Sequence, residues 1–351
     1  MTPPLLPEYA LSRVDVVHCV DALSLLHALP DASVSLIATD PPYNGVKDVA
    51  WDNQWPSDAA YLDWLRLHLA QMRRVLKPNG SLYLFASPRM AARVELAVGE
   101  YFNVLNRITW SKPRFATKAE MFDKDTMRAY FPTTEAIVFA EQWGADSSYQ
   151  GALIDENATY WQACETLKVG IIGDYLTSEF ERAGVTRREI AALFPSKTGG
   201  MTGCVSNWVL GYNIPTPEQY QTMRQYLNLK ASSVDYLRRE YDYLRRPFNS
   251  SPYAPYTDVW TFRTVQAYEG KHECEKPLDL MRHIISMSSR PGDTVLDCFA
   301  GSGATLDAAR QERRHYIGGD MSAHWVKVAR NRIELPYMLP LFAQVDSAVN
   351  A

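Results

Sequence analysis

The chain has 351 residues, with 36 basic and 40 acidic side chains and a formal charge of −4. Its composition, 46% hydrophobic, 12% aromatic and 22% charged, is that of a globular protein with ample core and excludes a disordered or fibrous chain. The length fits about two domains, or one large domain with an insertion, and the mild acidity leaves no whole-molecule basic footprint of a nucleic-acid binder. On composition alone a small-molecule enzyme ranks above a DNA protein.

The opening MTPPLLPEYALSR has no charged n-region and no long apolar h-region, so no signal peptide is expected there. No apolar run approaches the about 18 residues of a membrane span. Cysteines stand at 19, 164, 204, 274 and 298, an odd number without a CxxC pair. Neither a disulfide framework nor a metal site is expected, and a reducing, cytoplasmic setting fits.

In chain order, Val14–Val17 reads as a strand and Leu23–Leu29 as a short helix. Val34–Thr39 reads as a buried strand ending at Asp40, and Tyr61–Val75 has helical spacing, stopped by Leu76–Gly80. Strands follow at Ser81–Ala86, Val104–Trp110 and Ala136–Ala140, with a helix around Arg89–Glu100. The character then changes to a run of helices: Tyr175–Ala183, Arg187–Leu193, Cys204–Leu210, Pro217–Leu227 and Val234–Leu244. The strand–helix rhythm returns with strands at Val259–Thr264, Thr294–Asp297 and His315–Gly318, and helices at Leu278–Ser288, Ala304–Gln311 and Ser322–Ile333. This alternation predicts an α/β fold, a doubly wound, mostly parallel sheet covered on both faces, interrupted by an inserted helical module. The expected divisions are 1–164, 165–250 and 251–351.

Two motifs carry chemistry. Asp40-Pro41-Pro42-Tyr43 stands at the carboxyl end of a buried strand, where open α/β sheets bind ligands. Two consecutive prolines remove two backbone donors, so the turn presents acceptors only: the Asp40 carboxylate and the Pro41 carbonyl. With the aromatic Tyr43 beside them, these suit a flat substrate bearing an NH2 group. The second motif, Val295 through Asp297, Phe299, Gly301, Ser302 and Gly303 to Thr305, runs from a strand through a glycine-rich turn into a helix. Such a turn lets backbone approach a ligand closely, and the helix start favours an anionic group. Asp320, ending the next strand, suits ribose hydroxyls or, equally well, capping of the helix after Ser322. Together these features point to a nucleoside cofactor.

With DPPY first, a divergent middle and FAGSG last, the sequence resembles the beta class of amino-group DNA methyltransferases. The resemblance covers residues 13–140 and 256–333. Asp21 and Ala22 look like the family's site near the cofactor adenine, Glu275-Lys276-Pro277 like its motif upstream of the cofactor turn, and Trp110-Ser111-Lys112 like its Trp/Lys pair at a strand end. Cys298 departs from the proline found in many members. The resemblance implies a Rossmann-like methyltransferase sheet and S-adenosyl-L-methionine as cofactor, held by Asp21, Ala22, Lys276, Asp297, Phe299, Gly301, Ser302, Gly303, Thr305 and Asp320. It implies catalysis by Asp40, Pro41, Pro42 and Tyr43 on a base flipped out of double-stranded DNA, at a cost of roughly a few kcal/mol. Asp40 and the Pro41 carbonyl then take both amine hydrogens, and the nitrogen attacks the methyl group directly. Aspartate at position 40 favours adenine-N6 over cytosine-N4 methylation. A mobile loop at Asn44–Trp55 that closes over DNA is one expectation; local packing of Trp51 and Trp55 is the other. An RNA or protein amino-methyltransferase and a DNA-binding regulator are the alternative readings. Beta-class enzymes often pair, which makes a homodimer an expectation of the resemblance without an identifiable interface.

In the middle block, Arg187–Leu193, the turn through Lys197 and Cys204–Leu210 resemble a helix-turn-helix, with a turn longer than the usual about 3–4 residues. Ser206, Asn207 and Trp208 then fall early on the recognition helix. Locally basic stretches offset the acidic total: Arg107, Lys112, Arg114, Lys118, Lys124 and Arg128 in one, and Arg182, Arg187, Arg188 and Lys197 in the other. Phosphate contact depends on such patches rather than on net charge, so Lys112, Arg114, Arg187 and Lys197 are candidate DNA contacts alongside the recognition helix.

Overall fold

The computed structural model describes residues 14–113, 128–130, 132–142, 170–196, 200, 202–210, 214–230, 236–237, 247–249, 251–254 and 256–334. The chain divides into two compact units, one of residues 1–142 and 247–351, the other of residues 143–246.

The first unit is built on eight strands: β1 (Val16–Cys19), β2 (Val34–Thr39), β3 (Leu76–Ala86), β4 (Asn103–Ser111), β5 (Thr134–Glu141), β6 (Val259–Thr261), β7 (Thr294–Asp297) and β8 (His315–Asp320). They form one sheet in the order β1-β8-β7-β2-β3-β5-β4-β6. Neighbours run parallel, except that β5 is antiparallel to both β3 and β4. Helices α1 (Ala22–Ala28), α2 (Asp58–Val75) and α3 (Ala91–Gly99) belong to the first half of this unit. The doubly wound, mostly parallel α/β architecture expected from the sequence is the one observed.

Both sheet faces are covered, and the period-2 geometry of strands sorts the side chains. Ile37 of β2 and Leu82, Leu84 and Ala86 of β3 face the core shared with α1, α2 and α3. Leu36, Ala38, Tyr83 and Phe85 face the opposite core, where Leu280, Met281, Ile284 and Ile285 of the helix Leu278–Ser288 pack. All six residues of β2 are buried, as expected of a central parallel strand. In α2, Ser57 caps the first turn by accepting from Ala60 N at 3.1 Å, and Tyr61, Leu65, Leu69 and Met72 recur on the buried face. Burying Leu65 or Leu69 fully contributes about 1.5–3 kcal/mol each.

Two local expectations differ from the structure. The first strand starts at Val16, because Asp15 takes a left-handed backbone (φ 65°) with its carboxylate on Tyr316 N and His315. Leu76–Gly80 ends the helix but does not form a free turn: it opens β3. Val34 pairs with Leu76 and Leu36 with Ser81, so residues 77–80 are absorbed in a bulge. Gly80 is required there, since a Cβ would lie 2.5 Å from Leu76 Cδ1 and 2.9 Å from the Lys77 carbonyl.

The winding direction reverses between β2 and β7. From β7 the chain proceeds through Ala304–Gln311 to β8 on one side; from β2 it proceeds through α2 to β3 on the other. Loops leaving the carboxyl ends of these adjacent strands therefore diverge and open a crevice. Both chemical motifs sit at that crevice.

The second unit contains α4 (Gly170–Arg182), α5 (Arg187–Ala191), α6 (Cys204–Val209) and α7 (Pro217–Lys230). It has its own core, including Leu176, Phe180, Ile190, Val205, Trp208, Tyr220, Met223 and Leu227. Thr186 and Glu189 form a capping box at the start of α5. Of the expected helix Val234–Leu244, only Tyr236 and Leu237 lie within the described residues. The remaining helices, of the first unit, are α8 (Leu278–Ser288), α9 (Ala304–Gln311) and α10 (Ala323–Glu334). Among the described residues no helix is long and apolar enough to cross a membrane, and no group of three or more His, Cys, Asp or Glu side chains could hold a metal ion.

Candidate active site

Asp40 follows β2 directly, and the chain then turns through Pro41 and Pro42 to Tyr43. The loop beyond is shaped by Asp52, whose side chain is buried. Its Oδ1 accepts from Tyr43 N at 2.6 Å and Asn44 N at 3.0 Å; its Oδ2 accepts from Val46 N and Lys47 N, both at 2.7 Å. Asn44 and Gly45 take left-handed backbone (φ 61° and 82°), which wraps the amides around this carboxylate. Arg89 closes the base by donating to the Asn44 carbonyl at 2.8 Å and to Asp58. The Asn44–Trp55 segment is thus pinned from within. Its two tryptophans differ: Trp55 packs against Tyr61 and Trp64 with centroids 5.0 and 4.7 Å apart, whereas Trp51 is 40% exposed and its ring lies 6.5 Å from His272.

Asp40 belongs to a buried network of charge. Lys276 pairs with Asp40 Oδ2 and lies 3.4 Å from Glu135 Oε2, while Lys112 pairs with Glu135 Oε1. The Tyr43 hydroxyl lies 2.5 Å from Asp40 Oδ1, 3.2 Å from Glu135 Oε2 and 3.3 Å from Lys276 Nζ. Burial lifts the Asp40 carboxyl above its ordinary range, against the opposing pull of Lys276. Burial also acts on Glu135, but there the ammonium groups of Lys276 and Lys112 outweigh it and hold the carboxyl below its ordinary range. The two carboxylates are inequivalent: Glu135 is the firmer anion and Asp40 the more readily protonated. Burial, reinforced by Asp40 and Glu135, raises the Tyr43 hydroxyl well above its usual value, so it is a neutral donor.

The glycine turn leaves β7 beside this network. Gly301 (φ 48°) and Gly303 (φ 79°) take left-handed backbone, and a Cβ on Gly303 would lie 2.8 Å from that of Ala329 in α10. Asp297 is buried and directed inward, accepting from Thr39 Oγ1 at 2.7 Å, Phe299 N at 3.1 Å and the Thr305 side chain. Burial lifts its carboxyl to about 6. Asp320 ties the turn to α10, accepting from Gly301 N at 3.0 Å and Ser322 N at 2.8 Å. Asp21 caps α1, accepting from Ser24 N at 2.9 Å. Each aspartate oxygen has further lone pairs for a ligand. A cleft of about 500 Å³ is lined by all four residues of the acceptor turn and by Asp21, Ala22, Lys276, Asp297, Phe299, Gly301, Ser302, Thr305 and Asp320. Of the expected cofactor residues Gly303 alone does not line it; it stands behind the turn as the N-cap of α9.

A family model described as DNA methylase matches residues 34–331. The chain belongs to this N6/N4 DNA methylase family. The DNA adenine methyltransferase YhdJ of Escherichia coli (strain K12) is 26% identical over 320 residues, covering 90% of this chain and 81% of that one. Among solved structures, the M1.HpyAVI–SAM complex aligns over 91% of this chain and 99% of the other at 19% identity, with a TM-score of 0.49. The PvuII DNA methyltransferase, cytosine-N4-specific, covers 92% of this chain and 87% of the other at 17% identity, also with a TM-score of 0.49.

For the DNA contacts of this methylase, two expectations are corrected. Trp208 is 2% exposed and meets Phe194 edge-on at 5.3 Å, so it is a core residue of the helical unit and presents no ring to DNA. Lys112 directs its ammonium to buried Glu135 and is not a surface phosphate contact. Arg187, Ser206 and Asn207 are exposed. Arg114 and Lys197 lie outside the described residues, as do Lys118 and Lys124. Sequence reading missed Glu135, Asp52, His272 and Trp325. His272 lies 4.4 Å from Trp325 between ring centroids, and both line the cleft. No spacing in the chain links Glu135 to Asp40; only the sheet order brings β2, β4 and β5 to one end.

Proposed function

We propose that this DNA methyltransferase methylates adenine at N6, within a preferred sequence of double-stranded DNA, using S-adenosyl-L-methionine. The observation that carries the reading is the convergence of the acceptor turn and the glycine turn on one cleft at the β2–β7 switch point. The donor set fits an adenosyl cofactor: Asp21 and Asp320 offer carboxylate oxygens to hydroxyl and amino groups, Phe299 and Ala22 offer apolar surface, and the left-handed Gly301 leaves its flank free of a Cβ that would lie 3.3 Å from His272 Nε2. The cofactor supplies an electrophilic methyl group.

The chain's own residues orient the base and its amine. Asp40 and the Pro41 carbonyl accept the two amine hydrogens and localise the nitrogen lone pair; preorganised acceptors and positioning supply the acceleration. Tyr43, with its ring lining the cleft and its hydroxyl held by Asp40, bounds the base site. The aspartate in the acceptor turn and the adenine methyltransferase named among the relatives, YhdJ, support adenine over cytosine. The helical unit of residues 143–246 supplies target reading through exposed Ser206 and Asn207, with Arg187 toward phosphate.

The test is to methylate DNA in vitro with the purified chain, digest it and identify the modified nucleoside. N6-methyladenine is the expected product, and N4-methylcytosine alone would overturn the base assignment. Tritium transfer from labelled cofactor to DNA, set against RNA and protein acceptors, checks the substrate class; tight DNA binding without transfer would favour a regulator.

A further inference from the structure

The acceptor carboxylate is already engaged by two donors. Lys276 pairs with Asp40 Oδ2 and the Tyr43 hydroxyl lies on Oδ1, so whichever Asp40 oxygen takes the amine hydrogen already carries a donor that competes with it. The ammonium is also in the wrong place electrostatically: positive charge grows on the amine nitrogen as the N–CH3 bond forms and the S–CH3 bond breaks, and a second cation on the same carboxylate opposes it. Both donors have a second partner within reach, and it is the same one. Glu135 Oε2 lies 3.4 Å from Lys276 Nζ and 3.2 Å from the Tyr43 hydroxyl, while Lys112 fixes the other Glu135 oxygen from β4.

We propose that Glu135 is a positioning residue that takes Lys276 and the Tyr43 hydroxyl over from Asp40 when the target amine arrives, leaving the Asp40 carboxylate to the amine hydrogen it accepts. The inference rests on the reading of Asp40 as the amine acceptor. The required movement is small: Lys276 Nζ closes from 3.4 Å to an ordinary ion-pair distance of about 2.8 Å by side-chain rotation. The hydroxyl proton turns from one carboxylate to the other without leaving its oxygen. The network stays balanced throughout, two ammonium groups against two carboxylates, and Lys112 anchors Glu135 by its other oxygen while Lys276 moves. Before substrate binds, Lys276 keeps the buried Asp40 charge compensated; after it, the amine hydrogen takes that place.

Glu135→Gln in the full-length chain tests the handover, because glutamine keeps the shape and an acceptor oxygen but not the charge that draws Lys276. The expected result is a fall in kcat of about 10²-fold, the scale of a misplaced reacting group, with cofactor affinity and KM for DNA unchanged. Unchanged cofactor binding by titration calorimetry also reports an intact fold. Glu135→Asp should restore most of the rate, and adding Lys276→Met to Glu135→Gln should relieve part of the loss, since the competitor for Asp40 is then gone. A wild-type kcat in E135Q, or a Lys276→Met substitution that lowers the kcat of E135Q further at saturating cofactor and DNA, overturns the proposal. Asp40→Ala measured alongside separates the two readings: full activity there sinks the acceptor role of Asp40, whereas a wild-type rate in E135Q sinks the handover alone.

Discussion

Asp297 shows how one side chain serves the fold and the site with opposite consequences. Its carboxylate ties β7 to β2 through Thr39 and fixes the first amide of the glycine turn, yet it is held without a cation and its burial raises it to about 6. The unfolded chain has an aspartate value of about 3.9, so between these two values the folded state binds more protons than the unfolded one. Stability from this group therefore falls as pH rises through that window, by roughly 3 kcal/mol in all. Asp297→Asn has no such titration. In urea unfolding, its stability relative to wild type should rise by about that amount between pH 4 and pH 7; a constant difference across this range would show that the charged form costs nothing. The position of Asp297 was legible in the sequence as the end of a strand before glycines. Its inward direction was not, because Thr39 is its partner only through the pairing of β2 with β7.

At the level of elements, the acceptor loop depends on Asp52 more than on its prolines. Asp52→Asn keeps one acceptor oxygen for Tyr43 N and Asn44 N, but sets an NH2 group against Val46 N and Lys47 N. Leaving two part-buried donors without their acceptor costs at most about 1–3 kcal/mol each. The variant should lose stability by that order, gain a protease-sensitive site within residues 44–52 and lose kcat, all read by urea unfolding, limited proteolysis and steady-state assay. In α6, Ser206 and Asn207 face solvent while Val205 and Trp208 face the core, so Asn207→Ala should reduce discrimination among oligonucleotides and leave cofactor affinity intact. Equal methylation preferences in the variant and wild type would remove α6 from target reading. The α2 and β2 segments were legible because a single buried face or a continuous apolar run fixes them. The bulge at residues 77–80 and the reversed direction of β5 were not, since both express pairing to partners distant in the chain.

For the whole molecule, the chain divides into a unit of residues 1–142 and 247–351 and a unit of residues 143–246, and the latter keeps its own apolar core of Leu176, Ile190, Trp208, Met223 and Leu227. A fragment of residues 143–246 should therefore unfold cooperatively on heating, followed by circular dichroism; a gradual, sigmoid-free melt would show that its core is insufficient alone. The strand–helix rhythm, the acceptor and glycine motifs and hence the family are legible along the chain, because each is a local pattern whose chemistry depends on neighbours in sequence. Tertiary structure alone decided which charges meet. Asp40, Lys112, Glu135 and Lys276 come from four separate stretches, and they converge because the sheet places the ends of β2, β4 and β5 together with the segment before α8. Burial then makes them depend on one another: a lysine that reads as a DNA contact in the sequence becomes the anchor of a glutamate, since removing such a charge from water requires an opposite charge beside it.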